Sequence, residues 1–311
     1  MSLRDYIHIA RPSHWCKNAF MLPGVAIAFL LTDATFEEKI ASILIAFLSL
    51  CVIASANYVL NEWLDAETDR FHPLKKSRPA VANKLKRSVV YIEYLGLGLL
   101  GLLLATFVSE PFFLTSVIFL FMGILYNVKP FRTKDRIYLD VLSESINNPL
   151  RLMLGWFSVS ADTFPPTSLL VGYWMGGGFL MAIKRYAEYR FIIDKGDASL
   201  YRRSFKYYTE EKLLTSSFFY AMCSGFFLGV FLIKYRIELL FSLPLFAILF
   251  VWYFHIGMKP QSIAQNPEKL YQEKAFIIYV FLLVGAVGVL LFADMPWLHW
   301  FLKNAFLPDG S

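Results

Sequence analysis

Four polar residues spaced four apart, Asn57, Asn61, Asp65 and Asp69, close a long apolar run. On a helix this spacing lines their side chains along one face. Carboxylates and amides stacked in this way lose hydration and repel one another, which is costly at a membrane surface unless a cation sits among them. Oxygen-only ligands select a hard ion, most simply Mg²⁺, which keeps open positions and bridges to substrate phosphates. With Glu62 beside them, the candidate metal ligands are Asn61, Glu62, Asp65 and Asp69. Arg70, Lys75, Lys76 and Arg78 follow at once, cations suited to phosphate oxygens. The blander reading is a solvated helix end whose acids pair with the bases after it. His72, ahead of the rigid Pro73, reads as structural, since oxygen-rich Mg²⁺ sites seldom use histidine.

Three further clusters carry charge near apolar runs. In Arg11-Pro12-Ser13-His14-Trp15-Cys16-Lys17-Asn18, Trp15 is an interfacial anchor and Lys17 a snorkelling cation. The sharper reading turns Lys17 and Asn18 toward ligand phosphates. In Lys184-Arg185-Tyr186-Ala187-Glu188, Lys184 and Glu188 could simply pair at i, i+4. Alternatively, the run presents fixed charge and hydrogen-bonding groups to a substrate. Arg202-Arg203-Ser204-Phe205-Lys206-Tyr207-Tyr208 is either a basic loop near anionic lipid or a phosphate-binding segment, with Arg203 and Tyr208 the candidates. Asp140 and Arg151 are charges inside an apolar segment, functional candidates by default. Asp140 would orient a sugar or a cation. Arg151 would hold a lipid phosphate or tether helices.

These residues need elements to hold them, and the composition says which. Of the 311 residues 57% are hydrophobic and 17% are charged, against about 25% charged in an average soluble domain. One soluble core could not hide that much apolar surface. A disordered chain, a nucleic-acid binder of the soluble kind and a disulfide scaffold are excluded. Cys16, Cys51 and Cys223 are far apart with no CxxC, so they read as small buried hydrophobes. Arg4, Asp5 and Arg11 precede the first apolar run and no small-residue cleavage site follows, so the first helix reads as retained.

Nine apolar segments, about 18–32, 40–60, 88–109, 111–128, 137–159, 166–183, 213–233, 239–257 and 275–293, predict an all-α polytopic membrane protein with about nine transmembrane helices in one domain, 1–311. Charge alternation tests that count. The N-terminus and the loops after segments 2, 4, 6 and 8 hold 25 of the 30 Lys and Arg residues. That asymmetry places the N-terminus and the long basic loops in the cytoplasm and the C-terminus outside.

Asn61-Glu62-x-x-Asp65-x-x-x-Asp69 resembles the first aspartate-rich motif of the UbiA superfamily of intramembrane prenyltransferases. Asp69-Arg70-x-His72-Pro73-x-Lys75-x-x-Arg78-Pro79 is similar, more narrowly, to its decaprenyl-phosphate phosphoribosyltransferase branch, as are the Arg11–Asn18 pattern, the Lys184–Glu188 run and the Arg202–Thr209 stretch. Glu62 stands where many members have Asp. Where aromatic-substrate members carry a second Asp-x-x-x-Asp motif for a second Mg²⁺, this chain has Lys184 and Glu188. The resemblance covers roughly 8–293 and rests on hydrophobicity alone in the last three helices.

The resemblance implies a UbiA-like helical bundle in a bacterial inner membrane, with its active site on the cytoplasmic side. It implies Mg²⁺-dependent transfer of 5-phosphoribose from phosphoribosyl pyrophosphate (PRPP) to a polyprenyl phosphate in cell-envelope biosynthesis. On that reading Asp65, Asp69, Asp140, Lys184 and Glu188 are catalytic. Lys17, Asn18, Arg70, Lys75, Arg78, Arg151, Arg185, Tyr186, Arg203 and Tyr208 bind substrate. No nucleic acid is involved, and a homo-oligomer is compatible with the sequence, which leaves the oligomeric state open. The nearest alternative is prenyl transfer from an isoprenyl diphosphate to an aromatic or other small acceptor. A transporter of an anionic substrate would instead require helices broken at mid-membrane, for which Gly176-Gly177-Gly178 is the candidate, although tight helix packing explains that run more simply.

Overall fold

The computed structural model describes residues 3–72, 75–82, 85–193, 198–260 and 262–298. Pro73 and the C-terminal end lie outside them. The helices are α1 Leu3–Ala10, α2 Leu22–Leu31, α3 Phe36–Asp69, α4 Arg87–Thr106, α5 Glu110–Asn127, α6 Leu139–Ser145, α7 Asn147–Phe157, α8 Thr167–Ile193, α9 Ala198–Tyr201, α10 Glu210–Tyr235, α11 Leu243–Met258 and α12 Lys274–Phe292. A 3₁₀ segment, Pro12–Met21, leads into α2, and short 3₁₀ turns join several others. Among the described residues there is no strand.

The chain is an integral membrane protein. Seven helices, counting the N-terminal stretch Leu3–Leu31 as one, are long and apolar enough to cross a membrane. The other two expected segments correspond to α6–α7 and α8. The fifth segment does not form one helix. It breaks at Ile146 because Pro149 has no N–H to donate and its ring crowds the preceding turn. The carbonyls around the break find side-chain donors: Leu142 O accepts from Trp174 Nε1 at 3.1 Å, Glu144 O from Asn147 Nδ2 at 3.1 Å, and Asn147 O from Arg151 Nη1 at 3.3 Å. The break also separates Asp140 on α6 from Arg151 on α7. By contrast, α8 runs unbroken through Gly176-Gly177-Gly178, so the glycine run serves packing. A β-carbon on Gly177 would lie 2.2 Å from Asn148 Nδ2.

α3 has no glycine or proline in its 34 residues, so nothing interrupts it, and at 1.5 Å per residue it is about 51 Å long. That exceeds a hydrocarbon layer of about 30 Å, so the last turns stand beyond the apolar zone and carry the Asn/Asp stripe with them. α5 and α10 start on side-chain caps: Ser109 accepts from Phe112 N, and Thr209 from Lys212 N.

Two apolar cores divide the bundle. One joins α2, α3, α5 and α7 around Met21, Leu50, Ile53, Phe112, Phe119 and Leu154. The other joins α6, α8, α10, α11 and α12 around Val141, Phe179, Ile183, Tyr220, Tyr253 and Ile256. α2 and α7 cross at backbone contact. A β-carbon on Gly24 would lie 2.0 Å from Leu152 O, and one on Gly155 equally close to Met21 O, so only glycine allows this approach. The basic loops meet at one end of the bundle, tied by Arg11–Glu62, Lys75–Glu188, Lys134–Asp65 and Arg190 to Met258 O.

Candidate active site

A cavity of about 1520 Å³ runs between the two cores. Its polar end is lined by Asn61, Asp65, Asp69, Lys75, Arg78, Arg132, Lys134, Glu144, Lys184, Arg185, Glu188 and Arg202. Its apolar length passes residues of α2, α8, α10 and α12, among them Leu30, Leu169, Leu228, Phe231, Leu283 and Leu291. Lys and Arg outnumber Asp and Glu about two to one in the lining.

The α3 stripe faces this cavity. Asp65 accepts on Oδ1 from Lys134 Nζ and, at 3.1 Å, from Arg132 Nη2, and on Oδ2 from Asn61 Nδ2 at 3.1 Å. Asn127 Oδ1, at the end of α5, accepts from the same Lys134 at 2.7 Å and from Asn61 at 2.6 Å. Burial pushes the Lys134 ammonium down to about 8, against the pull of Asp65. Asp69 pairs with Arg78. Asn57 Oδ1, one turn deeper than Asn61, is buried with no hydrogen-bond partner.

This donor set suits a hard cation. Asp65 Oδ1 and Asn127 Oδ1 already converge on an ammonium, and the orphaned Asn57 oxygen lines the same cavity. Among the described residues no group of three His, Cys, Asp or Glu side chains is placed to hold a metal. A cation here would therefore draw on asparagine and substrate oxygens as well as on Asp65 and Asp69.

The end of α8 is built with the opposite sign. Arg185, fully buried, spans three acids: Nη1 to Glu188 at 2.8 Å, Nη2 to Glu144, and Nε 3.4 Å from Asp140. Glu144 also accepts from Tyr126 OH at 2.9 Å and lies 3.4 Å from Lys184 Nζ. Lys184 thus finds its partner on another element rather than in Glu188, which pairs with Arg185 one turn away on α8 and lies 3.6 Å from Lys75 Nζ. Lys75 is held in addition by Tyr201. Arg202, with Nη1 3.8 Å from Asp140, completes the ring. Its guanidinium charge is held well above the usual range, because Tyr126, Tyr201, Glu188 and Asp140 outweigh burial.

Of the residues singled out in sequence, the structure brings Lys17, Asn61, Asp65, Asp69, Lys75, Arg78, Arg151, Lys184, Arg185 and Glu188 to the cavity wall. Seven are placed elsewhere. Glu62 is buried and takes Arg11 at 2.6 Å, lining a smaller neighbouring depression. Asn18 is buried, donating to Cys51 Sγ at 3.2 Å and accepting from Arg151 Nε at 3.1 Å. Arg70 is exposed and bonds Glu67 O at 2.7 Å. Asp140 has no exposed surface and accepts from Tyr208 OH at 2.7 Å and Ser204 Oγ at 3.1 Å. Tyr208 is therefore turned inward, and Asp140 orients Arg185 and Arg202 rather than reaching the cavity. Tyr186 packs in a small aromatic core with Ile192, Tyr201 and Phe205. Arg203 is exposed while its neighbour Arg202 lines the cavity.

Sequence reading does not single out Asn127, Arg132, Lys134, Glu144 or Tyr126, and of the Arg202–Arg203 pair it selects Arg203. Two signals were available: the basic loop 129–136, and Glu144 as a carboxylate inside an apolar segment.

The UbiA prenyltransferase family model matches residues 20–277. A decaprenyl-phosphate phosphoribosyltransferase from Mycolicibacterium smegmatis is 29% identical over 212 residues, 67% of this chain and 63% of that protein. Nodulation protein NoeC from Azorhizobium caulinodans is 29% identical over 201 residues, 65% of this chain and 62% of that protein. The chain thus spans less than two thirds of the length of the curated relatives it matches. Among solved structures, a UbiA homolog from Archaeoglobus fulgidus bound to DMAPP and Mg²⁺ superposes with a TM-score of 0.70 at 19% identity, covering 92% of this chain and 99% of that one. The chain shares that fold and belongs to the UbiA prenyltransferase family.

Proposed function

We propose that this membrane transferase moves 5-phosphoribose from PRPP to a polyprenyl phosphate and releases pyrophosphate. The carrying observation is the end of α8. It turns Lys184 and Arg185 toward the cavity and ties Glu188 to Arg185 and Lys75. With Lys184 beside it, the end of α8 presents fixed cationic charge, which can act on phosphate oxygens in place of a second metal. The excess of cations suits two phosphorylated substrates better than a neutral aromatic acceptor. The Mycolicibacterium smegmatis relative's name points the same way.

On this reading the pyrophosphate end of PRPP lies between the ends of α3 and α8, with Lys75, Arg78 and Arg202 on its oxygens. Asp65, Asp69, Asn61 and Asn127 would hold Mg²⁺. When bound, the ion would shield pyrophosphate charge and favour its departure. Lys184, Arg185 and Arg202 offset negative charge as the C1–oxygen bond to pyrophosphate lengthens. A polyprenyl phosphate oxygen, already anionic, forms the new bond to C1, so no general base is required. Arg151 and Lys17, which also line the cavity, would steer the lipid phosphate, and the apolar length would take the prenyl tail. The basic end would face the cytoplasm of a bacterial plasma membrane.

The test is an assay in detergent micelles with Mg²⁺, polyprenyl phosphate and labelled PRPP. The expected result is a labelled lipid that EDTA abolishes. No such product, with turnover of an isoprenyl diphosphate and an aromatic acceptor, would replace this reading with prenyl transfer.

A further inference from the structure

The oxygen atoms best placed to hold a cation are already in the grip of a side chain. Lys134 Nζ sits between Asp65 Oδ1 and Asn127 Oδ1, over the ring of Tyr126 at 5.7 Å. Asp65 Oδ2 and Asn127 Oδ1 are further engaged by Asn61. A divalent ion cannot share Asp65 Oδ1 with an ammonium in direct contact. The two charges would repel, and Mg²⁺ requires its oxygens at about 2.1 Å with near-octahedral order. Arg132, the other cation on Asp65, is anchored elsewhere by Asp135 at 3.1 Å and Asn127 O at 3.1 Å. Lys134 is the mobile partner in chemical type, a point charge on a flexible four-carbon stem. It lines the same cavity as Lys75 and Arg78, so a short swing carries its charge from the carboxylate to an incoming phosphate.

We propose that Lys134 is a resident counter-ion that exchanges with the metal: it holds Asp65 and Asn127 until a diphosphate arrives to accept its ammonium, so that metal and diphosphate bind as a pair. The inference rests on the metal-site reading of Asp65. It makes Lys134 a positioning residue that sets the order of binding. It also keeps two cations on Asp65 in either state, Arg132 with Lys134 before the exchange and Arg132 with the metal after it.

The experiment measures Mn²⁺ binding by electron paramagnetic resonance on the full-length protein in micelles, at matched free Mn²⁺, with and without pyrophosphate. Wild type is expected to bind Mn²⁺ weakly alone and at least tenfold more tightly with pyrophosphate. Lys134→Met and Lys134→Gln are expected to bind Mn²⁺ alone at least tenfold more tightly than wild type and to lose most of the pyrophosphate effect. The two variants remove the charge with different shapes, and unchanged melting shows that each is folded. Asp65→Asn separates the two failures. If it leaves Mn²⁺ binding untouched, the metal-site reading falls and the exchange falls with it. If it abolishes binding while both Lys134 variants bind Mn²⁺ within twofold of wild type, the exchange alone is overturned.

Discussion

α3 and α8 end at the same side of the bundle with opposite equipment. α3 brings carboxylates and amides, and its partners Arg11, Arg78, Arg132 and Lys134 come from loops. α8 brings Lys184 and Arg185, and its acidic partners Asp140 and Glu144 come from the short broken helix α6. Each end is neutralised mainly by charges from other elements. The α3 end keeps Asp65 and Asp69 at the cavity wall, each paired with a cation from outside its own helix. The α8 end holds a fully buried arginine among three acids. The first arrangement suits binding and release, the second a fixed electrostatic frame.

The comparison breaks first at Asp65 and Asp69. Alanine at either is expected to lower turnover in the labelled-PRPP assay on the order of 10³-fold, the scale of losing a principal electrostatic contact, with the elution profile of a folded protein retained. Full activity at ordinary Mg²⁺ would remove the metal site from α3.

Next comes Arg185→Leu, which leaves Asp140, Glu144 and Glu188 without their shared cation. Removing one partner of a buried pair costs about 3–5 kcal/mol, so denaturant unfolding in micelles should show a loss of that order. Arg185→Lys, which cannot fork to three acids, should recover only part of it. A stability equal to wild type in the leucine variant would mean the α8 end is not the rigid frame described.

The joint between the two ends is His72, which follows α3 and packs edge-on against Tyr201 at 4.7 Å. Burial pushes its imidazole down to about 4 from an ordinary 6.5. The folded state therefore holds His72 neutral while the unfolded chain takes a proton first. Its stabilisation is complete above about pH 6.5 and is lost progressively as pH falls toward 4, by about 3 kcal/mol at most. Hydrogen exchange of residues 68–78 should rise over that window in wild type, and His72→Phe should flatten the response.

The finest contrast is between adjacent arginines. Arg202→Ala should raise the apparent KM for PRPP roughly tenfold, the loss of one charged hydrogen bond, whereas exposed Arg203→Ala should stay within twofold. Equal effects would shift the phosphate contact away from Arg202.

The local features were legible because they depend on local spacing. Apolar length marks the membrane helices, and the four-residue repeat of Asn57, Asn61, Asp65 and Asp69 puts those four on one face. The cavity wall receives that stripe, together with Lys75, Arg78, Lys184, Arg185 and Glu188. Glu62 was not separable from them, because one residue of offset turns it toward Arg11, a contact 51 residues away. Arg203 was preferred to Arg202 because a loop sequence carries no period to say which of two neighbours turns inward. The fifth apolar segment read as one span because its hydrophobicity is continuous. Pro149 was the signal for the break, and the break is what lets α6 deliver Asp140 and Glu144 to Arg185.

By itself, the sequence determined that this chain crosses a membrane repeatedly and carries an oxygen-rich helix face beside a store of cations. Both follow from composition and helical period, which act over a few residues. Only the tertiary structure decided which charges meet: Lys134 on Asp65, Arg185 among Asp140, Glu144 and Glu188, and Arg11 on Glu62. A charge taken out of water must find its opposite; apart from Glu188, one helical turn from Arg185, the opposite here stands about forty to seventy residues away, where packing alone decides the contact.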